Sequence, residues 1–370
     1  MTTLFSPLAL GPVPLPNRIV VAPMCQYSAD DGSATDWHLQ HWMNLAMSGA
    51  ALVVVEATGV ERRGRITHGC LGLYSDANER AIARALAAAR AVALPGTRFG
   101  IQLAHAGRKA SAQRPWEGGR ALAPDQDPWP TVGPSALPFD SGWHTPEALD
   151  EAGLERVKAA FVAAAGRAVR LGFDAIELHM AHGYLLHSFL SPLSNRRDDR
   201  WGGDAERRRA FPLAVARAVR DAVPAGIALG VRVSASEWVE GGFGVEEAAV
   251  LAADLKALGF DFICASSGGN AAHARIPTGA GYQVPLAREI RQQSGLVTRA
   301  VGLIVDPHQA EGIVARGDAD QVALARAVLD DPRWGWHAAE ALGAELTLPP
   351  QYARAGVKTW PGRKLLEAAE

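Results

Sequence analysis

Eight short apolar runs separated by helix-forming stretches constrain this chain more than any other feature. The runs occupy residues 18–23, 51–57, 99–105, 174–179, 227–233, 260–265, 296–301 and 321–325. Each is apolar almost throughout, as a strand buried on both faces must be. Between most of them lie stretches with helical spacing, at residues 36–49, 76–93, 154–171, 206–223, 245–258, 284–294 and 306–316. In the third of these, Leu154, Val157, Phe161, Ala164 and Ala165 share one face, while Arg156, Lys158, Arg167 and Arg170 fall mostly off it. Strands in strict alternation with helices, joined by right-handed crossovers, predict an α/β chain with a closed (β/α)8 barrel, the TIM barrel, rather than an open sheet.

The 370 residues are long enough for one barrel with insertions, and we read residues 1–370 as a single domain. Residues 4–16 are Pro-rich without a clear period, a lead-in across one end of the fold. Residues 107–145 break the rhythm: Pro115, Pro124, Pro128, Pro130, Pro134 and Pro138 alternate with Trp116, Trp129 and Trp143. A segment of this kind inside a regular domain reads as a packed cap over a site.

With 37 Lys and Arg against 39 Asp and Glu, the formal charge is −2 and no basic face develops, which argues against nucleic acid or an anionic membrane as partner. Cys25, Cys70 and Cys264 are too few and too scattered for a disulfide framework or a structural zinc site. No basic start precedes an apolar leader, and no run reaches the length of a membrane span. A cytoplasmic protein acting on a small molecule is expected.

Polar residues gather where the apolar runs end, the face on which barrels carry their chemistry. Residues 174–187 pass from a buried run into His179, His182 and Tyr184, three groups able to donate hydrogen bonds to one developing negative charge. Met24, Cys25, Gln26 and Tyr27 follow the first run, Gln102 and His105 lie in the third, and Arg232 in the fifth. Gly302, Ala325 and Arg326 follow the last two, where many barrels bind phosphate through loop amides. Each signal also has a plainer reading. Gln102 and Arg232 could satisfy each other, Cys25 could be an inert thiol, Arg326 could be a surface ion pair, and Glu177 with His179 and His182 could ligate a metal. Together they outline a flat, phosphate-bearing cofactor, and no GxGxxG opens a βαβ unit to suggest a Rossmann-bound dinucleotide.

The strings at these positions resemble the Old Yellow Enzyme family, in particular its bacterial thermophilic-like or xenobiotic-reductase-like subgroup. They include Leu4-Phe5-Ser6-Pro7, Pro16-Asn17-Arg18-Ile19, Ala22-Pro23-Met24-Cys25-Gln26-Tyr27 and Gln102-Leu103-Ala104-His105-Ala106-Gly107-Arg108. His179-Met180-Ala181-His182-Gly183-Tyr184-Leu185, Asn195-Arg196-Arg197-Asp198-Asp199-Arg200-Trp201-Gly202-Gly203 and Val322-Ala323-Leu324-Ala325-Arg326 continue the match along essentially the whole chain.

The resemblance implies non-covalent FMN in the barrel mouth, NADPH or NADH as hydride donor, and reduction of the activated C=C bond of enones, maleimides or nitroalkenes. It further implies that Ala22, Pro23, Met24 and Cys25 line the flavin, that Ala57 and Gln102 meet its pyrimidine edge, and that Arg232 lies by N1. Gly302, Ala325 and Arg326 would hold the phosphate. His179 and His182 would bind the substrate carbonyl, Tyr184 would protonate Cα, Cys25 would tune the flavin, and Tyr27 would touch substrate. Residues 345–370 resemble a segment that reaches a neighbouring subunit, which implies a homodimer or homotetramer with Arg354 or Trp360 supplied in trans. Arg207-Arg208-Arg209-Ala210-Phe211 departs from the family pattern, a change expected to bear on stability rather than catalysis. No metal is expected. The competing readings are a metal-dependent barrel lyase or hydrolase, and a non-enzymatic binding module.

Overall fold

The computed structural model describes residues 2–355 and 359–362. Eight parallel strands close into a barrel in sequence order: β1 Ile19–Val21, β2 Leu52–Gly59, β3 Arg98–Ala104, β4 Ala175–Met180, β5 Ala228–Ser234, β6 Phe262–Ser266, β7 Val297–Ala300 and β8 Gln321–Leu324, with β8 returning to β1. All eight coincide with the predicted runs to within two residues at nearly every boundary. Around them lie α1 Asp36–Ala46, α2 Asp76–Val92, α3 Glu151–Arg170, α4 Ala205–Ala222, α5 Val245–Ala257, α6 Val284–Ser294, α7 Pro307–Ala315 and α8 Trp334–Ala341. Several helices begin where a short polar side chain caps the first turn. Ser75, Asp150, Asp204 and Asp306 each accept from a backbone N–H three residues on.

Alternation along the strands sorts the apolar residues into two cores. Ile19, Val21, Val53, Val55, Ile101, Leu103, Ile176 and Leu178 pack outward with helix residues such as Trp42, Ile82, Leu154 and Phe161. Val20, Leu52, Val54, Ala175, Ala228, Phe262, Cys264 and Ala323 form the inner core. Gly230 is required there, since a Cβ would meet the Phe262 ring at 2.4 Å.

The N-terminal lead-in is not irregular. Leu8–Leu10 and Val13–Leu15 pair antiparallel, and Leu10, Val13 and Leu15 join the inner core. Gly11 approaches Asp261, just before β6, so this hairpin covers the end of the barrel where the strands begin. Strands three residues long, interrupted by proline, carry too little periodicity to be read in advance. No helix among the described residues is long and apolar enough to cross a membrane.

Residues 107–145 form short 3-10 turns, and Val132–Gly133 pairs with Glu147–Ala148 just beyond. Trp129 Nε1 donates to Arg63 O (2.9 Å), and Trp143 meets the Phe139 ring edge-on at 5.0 Å, so these two are packed as expected. Trp116 is the exception, 67% exposed with its ring against Tyr27.

Candidate active site

β4 delivers the central cluster. His179 lies one residue before its end, and the chain then turns sharply through His182 (φ 60°) and Gly183 (φ 76°) before Tyr184 precedes the short helix Leu185–Leu190. Left-handed backbone at a histidine persists only where neighbours hold it. His182 N donates to Ser234 Oγ at 3.0 Å, and Lys109 Nζ donates to His182 O at 2.9 Å and Gly269 O at 2.8 Å. Gly183 N donates to His187 Nδ1 at 2.8 Å. A Cβ at Gly183 would meet Gly269 O at 2.4 Å, so the two loops touch through backbone.

His179 Nε2 and His182 Nδ1 face each other at 3.3 Å, while Ala181 N donates to His179 Nδ1 at 3.2 Å. The Tyr184 ring stands 4.9 Å from His179 and 6.5 Å from His182, edge to face. Burial, with Arg232 next in effect, pushes both imidazoles well below the ordinary histidine range, so both are neutral. Burial also raises the Tyr184 phenol, helped by Cys25 and Tyr27, so the group keeps its proton.

After β1, Gln26 N donates to Glu56 Oε2 at 2.8 Å. Glu56 is the extra residue where β2 slips register against β3, and this bulge fixes the turn that carries Cys25 and Tyr27 (φ 51°). Burial raises the Cys25 thiol, and its hydrogen bond to Tyr27 keeps the pair together. Cys25 is thus a protonated thiol.

Arg232 lines a cavity of about 240 Å³ that also takes in His182, Gly302, Ala325 and Arg326. The cavity joins His182 to the ends of β7 and β8, and Ala22, Pro23, Met24, Cys25, Ala57 and Gln102 are not among its lining residues. Arg232 Nε is buried without a hydrogen-bond partner, and its Nη2 has only a long contact to Ser266 Oγ at 3.4 Å. A Cβ at Gly302 (φ 114°) would meet Gln283 Nε2 at 2.5 Å, so glycine keeps the backbone open to the cavity. A half-buried guanidinium whose Nε has no partner at one end and an exposed Arg326 at the other suit FMN.

Other expected residues lie elsewhere or act differently. Gln102 does not pair with Arg232. It donates to Glu177 Oε1 at 2.7 Å, and Arg299 takes Glu177 Oε2 at 3.1 Å. Both Glu177 oxygens are therefore engaged inside the barrel, away from His179 and His182. His105 donates Nε2–H to Glu61 Oε1 at 2.8 Å, since its Nδ1 accepts from Gly107 N, and its role is to anchor loops. Arg208, in the departing Arg-rich string, is buried and reaches Leu190 O, Gly203 O and Glu247. Ala22, Pro23 and Met24 lie just past the end of β1, and Ala57 lies in β2, two residues before its end. Arg354 and Trp360 are exposed and are not among the residues lining the cavity. The expected crossing segment 345–370 falls partly outside the described residues.

Lys109, Ser234, Ser266 and Arg299 escaped the sequence reading. Lys109 adjoins the His105–Arg108 string, and a cation directly after a strand-end Gly-Arg was the available signal. Its ammonium lies over the Phe139 and Tyr184 rings at 4.4 and 5.3 Å. The serines carry no signal in sequence.

Comparison with known proteins agrees with this geometry. The sequence model of the NADH:flavin oxidoreductase / NADH oxidase family matches residues 3–345. The NADPH dehydrogenase of Listeria innocua serovar 6a is 42% identical over 357 residues, 96% of this chain and 99% of the relative. That of Geobacillus thermodenitrificans is 40% identical over 355 residues, 95% and 98%. The structure of morphinone reductase in complex with tetrahydroNAD superposes with a TM-score of 0.75 at 27% identity, covering 95% of this chain and 94% of that one.

Proposed function

Because the chain belongs to the NADH:flavin oxidoreductase / NADH oxidase family, the Old Yellow Enzymes, and is an FMN-dependent enzyme that oxidises a reduced nicotinamide, we propose that it reduces the activated C=C bond of α,β-unsaturated carbonyl compounds. The observation that carries this reading is the convergence of His179 Nε2 and His182 Nδ1, 3.3 Å apart, beside a phenol that keeps its proton. Neutral imidazoles cannot transfer a proton readily as acids, but they can donate two hydrogen bonds to one oxygen.

FMN held in this cavity would supply hydride chemistry between NAD(P)H and the alkene. Ala22, Pro23, Met24 and Cys25 would line the ring system, and Ala57 and Gln102 would meet its pyrimidine edge. Arg232 would set a positive charge beside it, and Gly302, Ala325 and Arg326 would receive the phosphate.

His179 and His182 bind the substrate carbonyl oxygen. As negative charge grows on that oxygen their donors strengthen, which stabilises the transition state more than the ground state. Tyr184 holds the proton for Cα, and its raised affinity for that proton prevents loss to solvent before the carbanionic carbon forms. Tyr27, its ring edge-on to the exposed Trp116, would meet the distal part of a substrate.

Separate half-reactions test the assignment. Tyr184→Phe should slow reoxidation by 2-cyclohexenone by about 10²–10⁴-fold, the usual contribution of a positioned acid, and leave reduction by NADPH within a small factor. Equal slowing of both steps would mean that the proton donor lies elsewhere.

A further inference from the structure

Ser266 ends β6, buried, with three polar neighbours. His182 Nε2 lies 2.8 Å from its Oγ, Arg232 Nη2 3.4 Å and Gln283 Oε1 3.5 Å. Their chemistry restricts what the hydroxyl can do. Arg232 can only donate, so one lone pair of Ser266 is its acceptor. Gln283 Oε1 already accepts from Ser267 Oγ at 2.6 Å, so the longer contact from Ser266 is a weak alternative. The single hydroxyl proton therefore has two places to point: to Gln283, or to His182 Nε2.

Each choice fixes the tautomer of His182. His179 Nδ1 accepts from Ala181 N, so its proton is on Nε2, facing His182 Nδ1. With no other acceptor near, His182 Nδ1 accepts that proton's hydrogen bond, its own proton is on Nε2, and Ser266 receives it while turning to Gln283. When a carbonyl or phenolate oxygen enters between the rings, both inner nitrogens must donate. His182 must then carry its proton on Nδ1, and Nε2 becomes a buried acceptor that needs a donor. Rotation of the Ser266 hydroxyl supplies one. The Ser266 hydroxyl and both His182 nitrogens have partners in both states, and the exchange moves one proton from Nε2 to Nδ1 with no net gain or loss.

We propose that Ser266 is a positioning residue whose rotating hydroxyl lets His182 change tautomer when an acceptor oxygen binds, which makes the histidine pair a two-donor site. The inference rests on the reading of His179 and His182 as the oxygen-binding pair. Ser266 touches no substrate itself and acts through His182. Through Arg232 it also joins the cavity that suits FMN to the groups that grip the substrate.

The test uses holoenzyme with ¹⁵N-labelled histidine and 4-hydroxybenzaldehyde as a phenolate probe, an acceptor-only oxygen on a flat ring. On saturation, the wild type should show His182 Nδ1 passing from acceptor to protonated nitrogen and Nε2 the reverse. Ser266→Thr, which keeps the hydroxyl, should behave alike. Ser266→Ala should hold His182 in the Nε2–H form and weaken phenolate binding by about tenfold, the effect of about one hydrogen bond. Unchanged affinity and the same exchange in Ser266→Ala would overturn the inference, as would a wild type that binds phenolate without exchange. A wild-type holoenzyme that binds no phenolate would overturn the oxygen-binding reading itself, and this inference with it.

Discussion

Glu177 and Arg299 meet inside the barrel at 3.1 Å, each about 1% exposed. Gln102 takes the other Glu177 oxygen, Gln321 accepts from Arg299 at 3.2 Å, and the guanidinium lies over the Phe262 ring at 4.5 Å. Desolvating two charges is offset here by near-complete hydrogen bonding, a balance that fails when one partner is removed. Arg299→Met should therefore lower stability by about 3–5 kcal/mol, and adding Glu177→Gln should recover most of it. Thermal unfolding of the two variants under one buffer condition checks this. A single variant as stable as wild type would mean that the pair is solvated. At this scale the sequence was legible where a residue's type alone states its chemistry, as for His179, His182, Tyr184 and Arg232. It was silent on Ser266 and Ser234, whose importance comes from neighbours on other strands. It left the partner of Gln102 open, and the contact to Glu177 was not legible because Arg299, mid-run in β7, gave no hint that it points inward to hold that carboxylate.

Elements are tied together by a second set of polar contacts outside the barrel. Glu61, in the loop after β2, accepts from His105 at the end of β3 and from Arg63, and lies 3.8 Å from Arg156 on α3. Burial alone would raise its carboxyl, but the hydrogen bond from His105, followed by Arg63, outweighs that and holds it at about 2 against an ordinary 4.5. A depressed folded value means that the native state favours the ionised form. Its contribution is fully present above about pH 4.5 and fades as pH falls towards about 2. The gap in unfolding temperature between wild type and Glu61→Gln should therefore be widest near neutrality and narrow as pH drops from 5 to 3. A constant gap would place the effect in packing. Helix positions were readable because a 3.6-residue period persists over several turns, and strand positions because each is a short apolar run set between helices. The hairpin at Leu8–Leu10 and Val13–Leu15 was not, nor was the helix Leu185–Leu190, whose six residues are too few for a period to show.

For the molecule as a whole, the barrel gathers side chains from β1, β4, β5, β7 and β8 at one rim, and the segment 107–145 brings Phe139 over Lys109 beside them. The cavity lined by Arg232, Gly302, Ala325 and Arg326 suits an anionic flavin cofactor, and at its His182 end stand the neutral His179 and the protonated Tyr184 phenol. This division matches a two-step cycle in which reductant and alkene use the same site in turn. The direct measurement is the visible spectrum of purified holoenzyme without oxygen, first after NADPH and then after 2-cyclohexenone. The account predicts a flavin band that bleaches with NADPH and returns with the enone. A band that bleaches and stays bleached in the presence of enone would contradict the assignment of alkene reduction to this site.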